Sequence, residues 1–359
     1  MTAPMTGDVL FETRGAIGLI TLNRPKALNA LSLPMIRVML PQLKTWAADP
    51  TVRAAVIQGA GEKAFCAGGD VRAVYDAGLA AKADGTIDRG LTADFFREEY
   101  VLNHAIHSFP KPFIALVDGI SMGGGVGLSV HGPIRVATER MLFAMPETGI
   151  GLFPDVGGGW FLPRCPGELG TYYALTGARA KAADALALGY ATHYVPSDRL
   201  PALIEALAAS DWADARTPET ILSGFIDDAG APAVLDHKAE IDRCFAHDSV
   251  EDILAALDRE DTGWARGIRD HLATLSPTSM KVTLRQLRLG QSMSYDRIVT
   301  MEYRLSQACM MGRDFYEGIR AVLVDKDKTP RWQPGSLDEV SDDMIASYFE
   351  PLGSRDLIV

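Results

Sequence analysis

Two carboxylates, Glu147 and Asp155, stand eight positions apart in MPETGIGLFPDVGGG (145–159), among glycines and large apolar side chains. Acids beside apolar Leu152 and Phe153 should have raised pKa values, because burial penalises the charged form. Carboxyls tuned in this way can take or give a proton near neutral pH. Each residue also has an ordinary reading. Asp155 precedes VGGGWFLPR, where an Asp commonly caps a helix N-terminus. Glu147 follows Pro146 at a strand end, where a solvated loop acid is the commoner case. Glu98 and Glu99 in FFREEYVLNH (95–104) read as an exposed helix face. His104 and His107 on the same stretch read as surface or satisfied core histidines.

Two glycine turns could supply the other half of acyl chemistry. MGGGVG (122–127) and FCAGGD (65–70) each follow a buried apolar run. Glycines let backbone approach a ligand closely, and amides at a helix start point outward as donors. Two such N–H groups aimed at one carbonyl oxygen would stabilise the charge of a tetrahedral transition state. Competing motifs fail. The dinucleotide fingerprint needs glycine at 128, which is Leu, and no Gly-Lys-Ser/Thr follows. In GLSVH (127–131), His131 stands where a nucleophile elbow needs glycine. With neither an elbow nor a metal cluster, any acyl chemistry falls to carboxylates and backbone.

The elements that must position these groups alternate strand, glycine loop and helix. DVLFETRGAIGLITL (8–22) predicts a hairpin around Arg14-Gly15. LPMIRVMLPQLKTWAAD predicts a helix with Met35, Val38, Met39, Leu43 and Trp46 on one face. Pro34 suits its first turn, while Pro41 predicts a kink or a shorter helix. Buried strands are expected at 54–61 and 112–119, a helix over 91–109, and two short strands in IRVATERMLFAMPE, with VGLSVHG starting a helix. Beyond about residue 200 the stretches are amphipathic and helical. The division expected is a core over 1–200 and a helical C-terminal region over 201–359.

Bulk properties narrow the classes. The 359 residues carry a net charge of −11 with 47% apolar content, which disfavours nucleic acid and anionic membrane as partners. Cys66, Cys165, Cys244 and Cys309 are scattered without a C-x-x-C, so neither a disulfide framework nor a zinc site is suggested. The first 15 residues lack signal- or transit-peptide character, and no apolar run approaches a membrane span. A cytoplasmic protein without a metal is the expectation.

Taken together, TLNRPKALNAL, AFCAGGD, DGISMGGGVGL and the Phe-Ala-Met-Pro-Glu strand end resemble, in family order, the crotonase (enoyl-CoA hydratase/isomerase) superfamily. The resemblance implies an α/β fold, a crotonase-like spiral of ββα units with a helical C-terminal region, binding an acyl-CoA. It implies a thioester carbonyl resting on the amides of Ala67 and Gly124. Coenzyme A, a part of the substrate rather than a cofactor, would pass Lys26, Ala27 and Leu28, with Ala67, Gly69 and Asp70 also contributing. Hydratases of the superfamily carry a glutamate where this chain has Gly127, and glycine where it has Asp155. That exchange speaks against hydration.

FFREEY, MGGGVGLSVHG, FAMPETGIGLFPDVGGG, SPTSMKVTLRQL and TMEYRLSQACM are similar to the 3-hydroxyisobutyryl-CoA hydrolase branch, thioesterases of valine breakdown. The branch's substrate-contacting positions fall on Glu99, Gly124, Glu147 and Asp155, with Glu147 and Asp155 as the catalytic pair. An enoyl-CoA hydratase or isomerase is the alternative, and a non-catalytic acyl-CoA-binding protein a second one. Superfamily relatives often form trimers, so a homo-oligomer is allowed.

Overall fold

A computed structural model of the chain describes residues 7–86, 90–212, 214 and 217–359. The first six residues of the segment read above for a targeting signal therefore lie outside the described residues. The chain falls into two compact units, and both are discontinuous. The first comprises 1–69, 101–143 and 179–233, and the second 70–100, 144–178 and 234–359. Compactness thus interleaves the chain rather than following the division expected at residue 200.

The first unit is built on strands. β1 (Val9–Arg14) and β2 (Ile17–Leu22) pair antiparallel from Val9↔Leu22 to Arg14↔Ile17, forming the expected hairpin. β2, β3 (Ala54–Gly59), β5 (Phe113–Val117), β7 (Ile134–Ala137) and β9 (His193–Tyr194) then continue the sheet in parallel, in the order β1-β2-β3-β5-β7-β9. Three short strands, β4 (Ala64–Cys66), β6 (Ile120–Met122) and β8 (Leu142–Ala144), form a second sheet. Each long strand from β3 to β7 is thus followed by a short strand of the second sheet. This is the ββα spiral that the resemblance implied.

Strand alternation explains the packing. Ile17, Leu19, Ala54, Val56, Ile114, Leu116, Ile134 and Val136 are every second residue of four adjacent strands, and share one buried cluster. Leu200, Leu203, Ile204 and Leu207 of the helix Leu200–Ala209 cover that face. The intervening residues, such as Ile20, Ala55, Ile57 and Ala115, are buried as well. A largely parallel sheet covered on both faces is what such continuous apolar strands require.

The helix Leu33–Ala48 buries Met35, Val38, Met39, Leu43 and Trp46 as expected, but it runs on through Pro41. Apolar anchors on both sides of the proline hold it, and Pro41 itself lies exposed.

The second unit is built of helices, among them Val71–Asp84, Pro277–Gly290, Tyr295–Met311 and Asp314–Ile319. The boundary between units cuts the helix Leu91–His107 after Tyr100. No helix among the described residues is long and apolar enough to cross a membrane.

Candidate active site

The second unit gathers three buried acids. Glu147 opens a short 3-10 turn, Glu147–Ile150, directly after Pro146. That turn is fixed at several points. Leu152 N–H donates to the Glu147 carbonyl at 3.0 Å, Thr148 Oγ1 donates to the Leu175 carbonyl at 3.1 Å, and Ser276 N–H donates to the Thr148 carbonyl at 3.2 Å. Gly151 closes it at φ 70°, and a Cβ there would come within 2.1 Å of the Asp314 carbonyl carbon. Gly151→Ala should therefore lower stability by ~2–5 kcal/mol, combining left-handed strain with overpacking. Urea unfolding checks this, and a midpoint unchanged from wild type would contradict the packing described.

Glu147 and Asp155 are each only 5% exposed, and Glu99 only 2%. One oxygen of Glu147, Oε2, and one of Glu99, Oε1, have no hydrogen-bond partner. The Asp155 carboxyl accepts from the Tyr100 hydroxyl at 2.8 Å. Burial pushes all three acids up, Asp155 to about 7, against the stabilising pull of the Tyr100 bond. The Asp155 charge raises Glu147 further, and the charges of Asp155 and Glu147 raise Glu99. Like charges in a dry site repel, so each acid of the group favours its protonated form more than a solvated carboxyl does. Among the described residues, no cluster of acids, histidines and cysteines is arranged to hold a metal ion.

Three ordinary readings of the sequence are corrected here, the first that of Glu147 as a solvated loop acid, since it is buried. Asp155 is not a helix cap: the helix Gly158–Phe161 is preceded by Gly157, with no side chain capping it. The amides on either side of Gly158 go instead to Glu302, whose Oε2 accepts from Gly157 N–H at 2.7 Å and Oε1 from Gly159 N–H at 2.9 Å. Glu99 is not on an exposed face either; it is buried, while its neighbour Glu98 is half-buried. His104 and His107 are half-buried, the latter with its ring edge-on to His131 at 5.9 Å between centroids.

The first unit carries the candidate amides. β6 leads through Gly123, at φ 44°, into the helix Gly124–Ser129, which begins two residues earlier than VGLSVHG suggested. Gly124 N–H lies in the first turn, where the helix itself offers no acceptor. A Cβ on Gly125 would meet the Cys66 carbonyl oxygen at 2.1 Å, so glycine there brings this turn against the end of β4. Gly127 is buried within the helix and has no side chain to carry a proton.

Ala67 is the exception. Its N–H already donates to the Leu28 carbonyl at 3.0 Å, so it is not free for a thioester oxygen. The chain forces this pairing. Leu28 and Asn29 turn through left-handed conformations, and buried Asn29 donates to the carbonyls of Ala60 and Ala64 at 3.0 and 2.8 Å, tying the turn beside β4. Lys26 and Ala27 lie exposed in the 3-10 turn Pro25–Ala27. Gly69 bridges to Leu31. Asp70 caps the helix Val71–Asp84, accepting from Ala73 N–H at 3.4 Å.

Tyr100, Glu302 and Gln286 are partners that the sequence reading did not single out. A signal for Glu302 was present: it occupies a helical stripe otherwise formed by Ile298, Leu305 and Cys309, where a solvated acid has no place.

Comparisons with known proteins agree over nearly the whole chain. The model of the enoyl-CoA hydratase/isomerase family matches residues 17–349. The chain is 53% identical to the protein of Xenopus tropicalis named 3-hydroxyisobutyryl-CoA hydrolase, mitochondrial, covering 98% of this chain and 91% of that one. The protein of Homo sapiens with the same name is 49% identical, covering 98% and 90%. Among solved structures, a carnitinyl-CoA dehydratase from Mycobacterium thermoresistibile superposes with TM-score 0.88 at 41% identity, covering 96% of this chain and 97% of that one. An enoyl-CoA hydratase from Rhodobacter sphaeroides 2.4.1 gives TM-score 0.89 at 38% identity, covering 98% and 100%. The relatives named mitochondrial overturn the cytoplasmic expectation. That expectation rested on features the chain lacks, a targeting segment, a membrane span and paired cysteines, and such a lack has little weight.

Proposed function

The chain belongs to the enoyl-CoA hydratase/isomerase family, and from that premise we propose that it hydrolyses 3-hydroxyisobutyryl-CoA to 3-hydroxyisobutyrate and free coenzyme A, a step of valine breakdown. One observation carries the reading among the family's many reactions: Asp155 joins Glu147 and Glu99 in one buried acid group, while position 127 is glycine. Near half identity with proteins named for this hydrolysis supports the substrate.

In the proposed reaction the thioester oxygen takes the Gly124 amide, and the charge it gains in the transition state is stabilised there. A preorganised donor of this kind contributes ~3–4 kcal/mol. Ala67 can add a second bond only when the Leu28 carbonyl releases its N–H. Glu147, like Glu99, has a carboxylate oxygen without a partner, and it is the one assigned to act on water or the carbonyl carbon. Two routes are open to it. As a base it takes a proton from water as the water oxygen attacks the carbonyl carbon. The tetrahedral species then expels the sulfur, which takes up that proton. As a nucleophile it forms a mixed anhydride and releases the coenzyme A thiolate, and water then hydrolyses the anhydride. Label found in the Glu147 carboxyl after a single turnover in ¹⁸O-water would establish the second route, because it can enter only by water attack on the Glu147 carbonyl of the anhydride.

Asp155, held by Tyr100 and tuned to about 7, shares the proton transfers and orients the acyl group. Glu99 closes the acyl pocket and bonds the 3-hydroxyl. The reaction needs no cofactor, since coenzyme A arrives with the substrate.

Thiol release across short acyl-CoAs, each with and without a 3-hydroxyl, tests the proposal. Hydroxylated acyl groups should be preferred by roughly tenfold or more, the worth of one buried polar contact. Indifference to the hydroxyl would sink the role given to Glu99. Hydration of an enoyl-CoA is the second reading, favoured by the names of the two solved structures. Loss of enoyl thioester absorbance on adding crotonyl-CoA would establish it. The bare backbone at Gly127 speaks against it.

A further inference from the structure

Asp155 lies in a stretch that the backbone would not adopt unaided. Val156, which follows it, has φ 53°, a left-handed conformation that is costly for a β-branched residue, and Gly157 has φ 88°. Such a conformation persists only when its surroundings over-determine it. Two helices distant in sequence do so here. From Tyr295–Met311, Glu302 accepts from the Gly157 and Gly159 amides at 2.7 and 2.9 Å. From Pro277–Gly290, Gln286 Nε2 donates to the Pro154 carbonyl at 2.8 Å and to Glu302 Oε1 at 3.1 Å. Asp155 sits between the clamped points, with its own carbonyl accepting from Gly158 N–H at 2.7 Å.

Both clamping side chains are 0% exposed. A buried glutamate is expensive, and here it has a defined purpose: no closer side chain caps the helix Gly158–Phe161. A simple apolar plug would fill the same space but leave two amides unbonded and Val156 free to relax. The turn also packs tightly on this pair, since a Cβ on Gly159 would meet Gln286 Nε2 at 3.0 Å and Glu302 Oε1 at 3.2 Å, so that one of them would have to give by a few tenths of an ångström.

We propose that Glu302, braced by Gln286, is a positioning residue for the hydrolysis: it holds the Pro154–Gly159 turn in its strained form and so aims the Asp155 carboxyl at Tyr100 and at the substrate. The inference rests on the reading of Asp155 as one of the two acids of the hydrolytic site. Glu302 touches neither substrate nor reacting atoms. Its effect passes wholly through Asp155.

That dependence makes a double-mutant cycle decisive. Glu302→Gln keeps the volume but turns an NH₂ group toward one of the amides. It should lower kcat for 3-hydroxyisobutyryl-CoA by roughly 10- to 100-fold, the effect of a misplacement of about an ångström, with KM changed less than about threefold. In an Asp155→Asn background the same substitution should change kcat less than about twofold. If its effect on kcat multiplies in full with that of Asp155→Asn, Glu302 is structural only, and the proposal is overturned while the hydrolase reading stands. An inactive wild type would refute the hydrolase reading instead.

A crystal structure of Glu302→Gln supplies a readout independent of any substrate. The 154–159 turn should shift and the Tyr100–Asp155 bond should break; an unmoved turn with that bond intact overturns the proposal whatever the kinetics. Should Glu302→Gln fail to fold, Gln286→Met carries the same cycle and the same structural comparison, with the same outcomes deciding.

Discussion

Replacing Glu147 by Gln should abolish thiol release from 3-hydroxyisobutyryl-CoA, lowering kcat by about 10³- to 10⁴-fold, the range for removal of a positioned base. The substitution is close to isosteric, and the fixed turn around it remains: the Leu152, Thr148 and Ser276 bonds all involve groups other than the Glu147 side chain. Acyl-CoA affinity should change less than about threefold, because the proposed binding contacts on the coenzyme lie on other residues. Calorimetric titration with the substrate, made possible by the inactive variant, measures this directly. A Glu147→Gln protein that still turns over would eliminate both routes. One that fails to bind would make Glu147 a binding residue rather than a catalytic one.

The second large effect concerns stability and has the opposite sign. Burial raises the Asp155 carboxyl from 3.8 to about 7 in the folded chain. Below about pH 4 it is neutral both folded and unfolded, and so costs nothing. Between about pH 4 and 7 the unfolded chain gives up the proton while the folded one retains it, so native stability falls as pH rises. Above about 7 the full penalty applies, on the order of 4 kcal/mol as an upper bound. Asp155→Asn removes it while still offering Tyr100 an acceptor. The variant should therefore lose roughly 10²- to 10³-fold in kcat, yet melt at a higher temperature than wild type at pH 8, with the advantage shrinking to nothing near pH 4. Melting curves of both proteins at several pH values test this. A difference independent of pH would show that the penalty is not electrostatic.

Much of the fold could be read from strand-length apolar runs, because the central strands β2, β3, β5 and β7 are buried on both faces over most of their length and so have few polar interruptions. Glu147 and Asp155 were recognisable by their company. What local reading missed was direction. Asp155 precedes a helix, but its side chain turns to Tyr100, fifty-five residues earlier, and a residue far down the chain serves the helix instead. Glu99 looked solvated beside Arg97 and Glu98, although Phe95, Leu102 and Ile106 put it on an apolar stripe. Glu302 repeats that pattern. An acid within an otherwise apolar helical stripe is the signal common to both. The engagement of the Ala67 amide had no such signal, since its acceptor depends on how Asn29 anchors a separate turn.

The interleaving of the two units bears on how the chain must fold. The acids come from separate stretches of the second unit: Glu99 from 70–100, Glu147 and Asp155 from 144–178, and Glu302, which bonds the turn after Asp155, from 234–359. Between the first two stretches, the chain leaves to complete strands of the other unit. Contacts of such long sequence separation slow folding, because loops must close before burial rewards them. During synthesis the strained turn at Val156 emerges well before its clamp. The turn can therefore be clamped as it is in the folded chain only after the helix Tyr295–Met311 has been made.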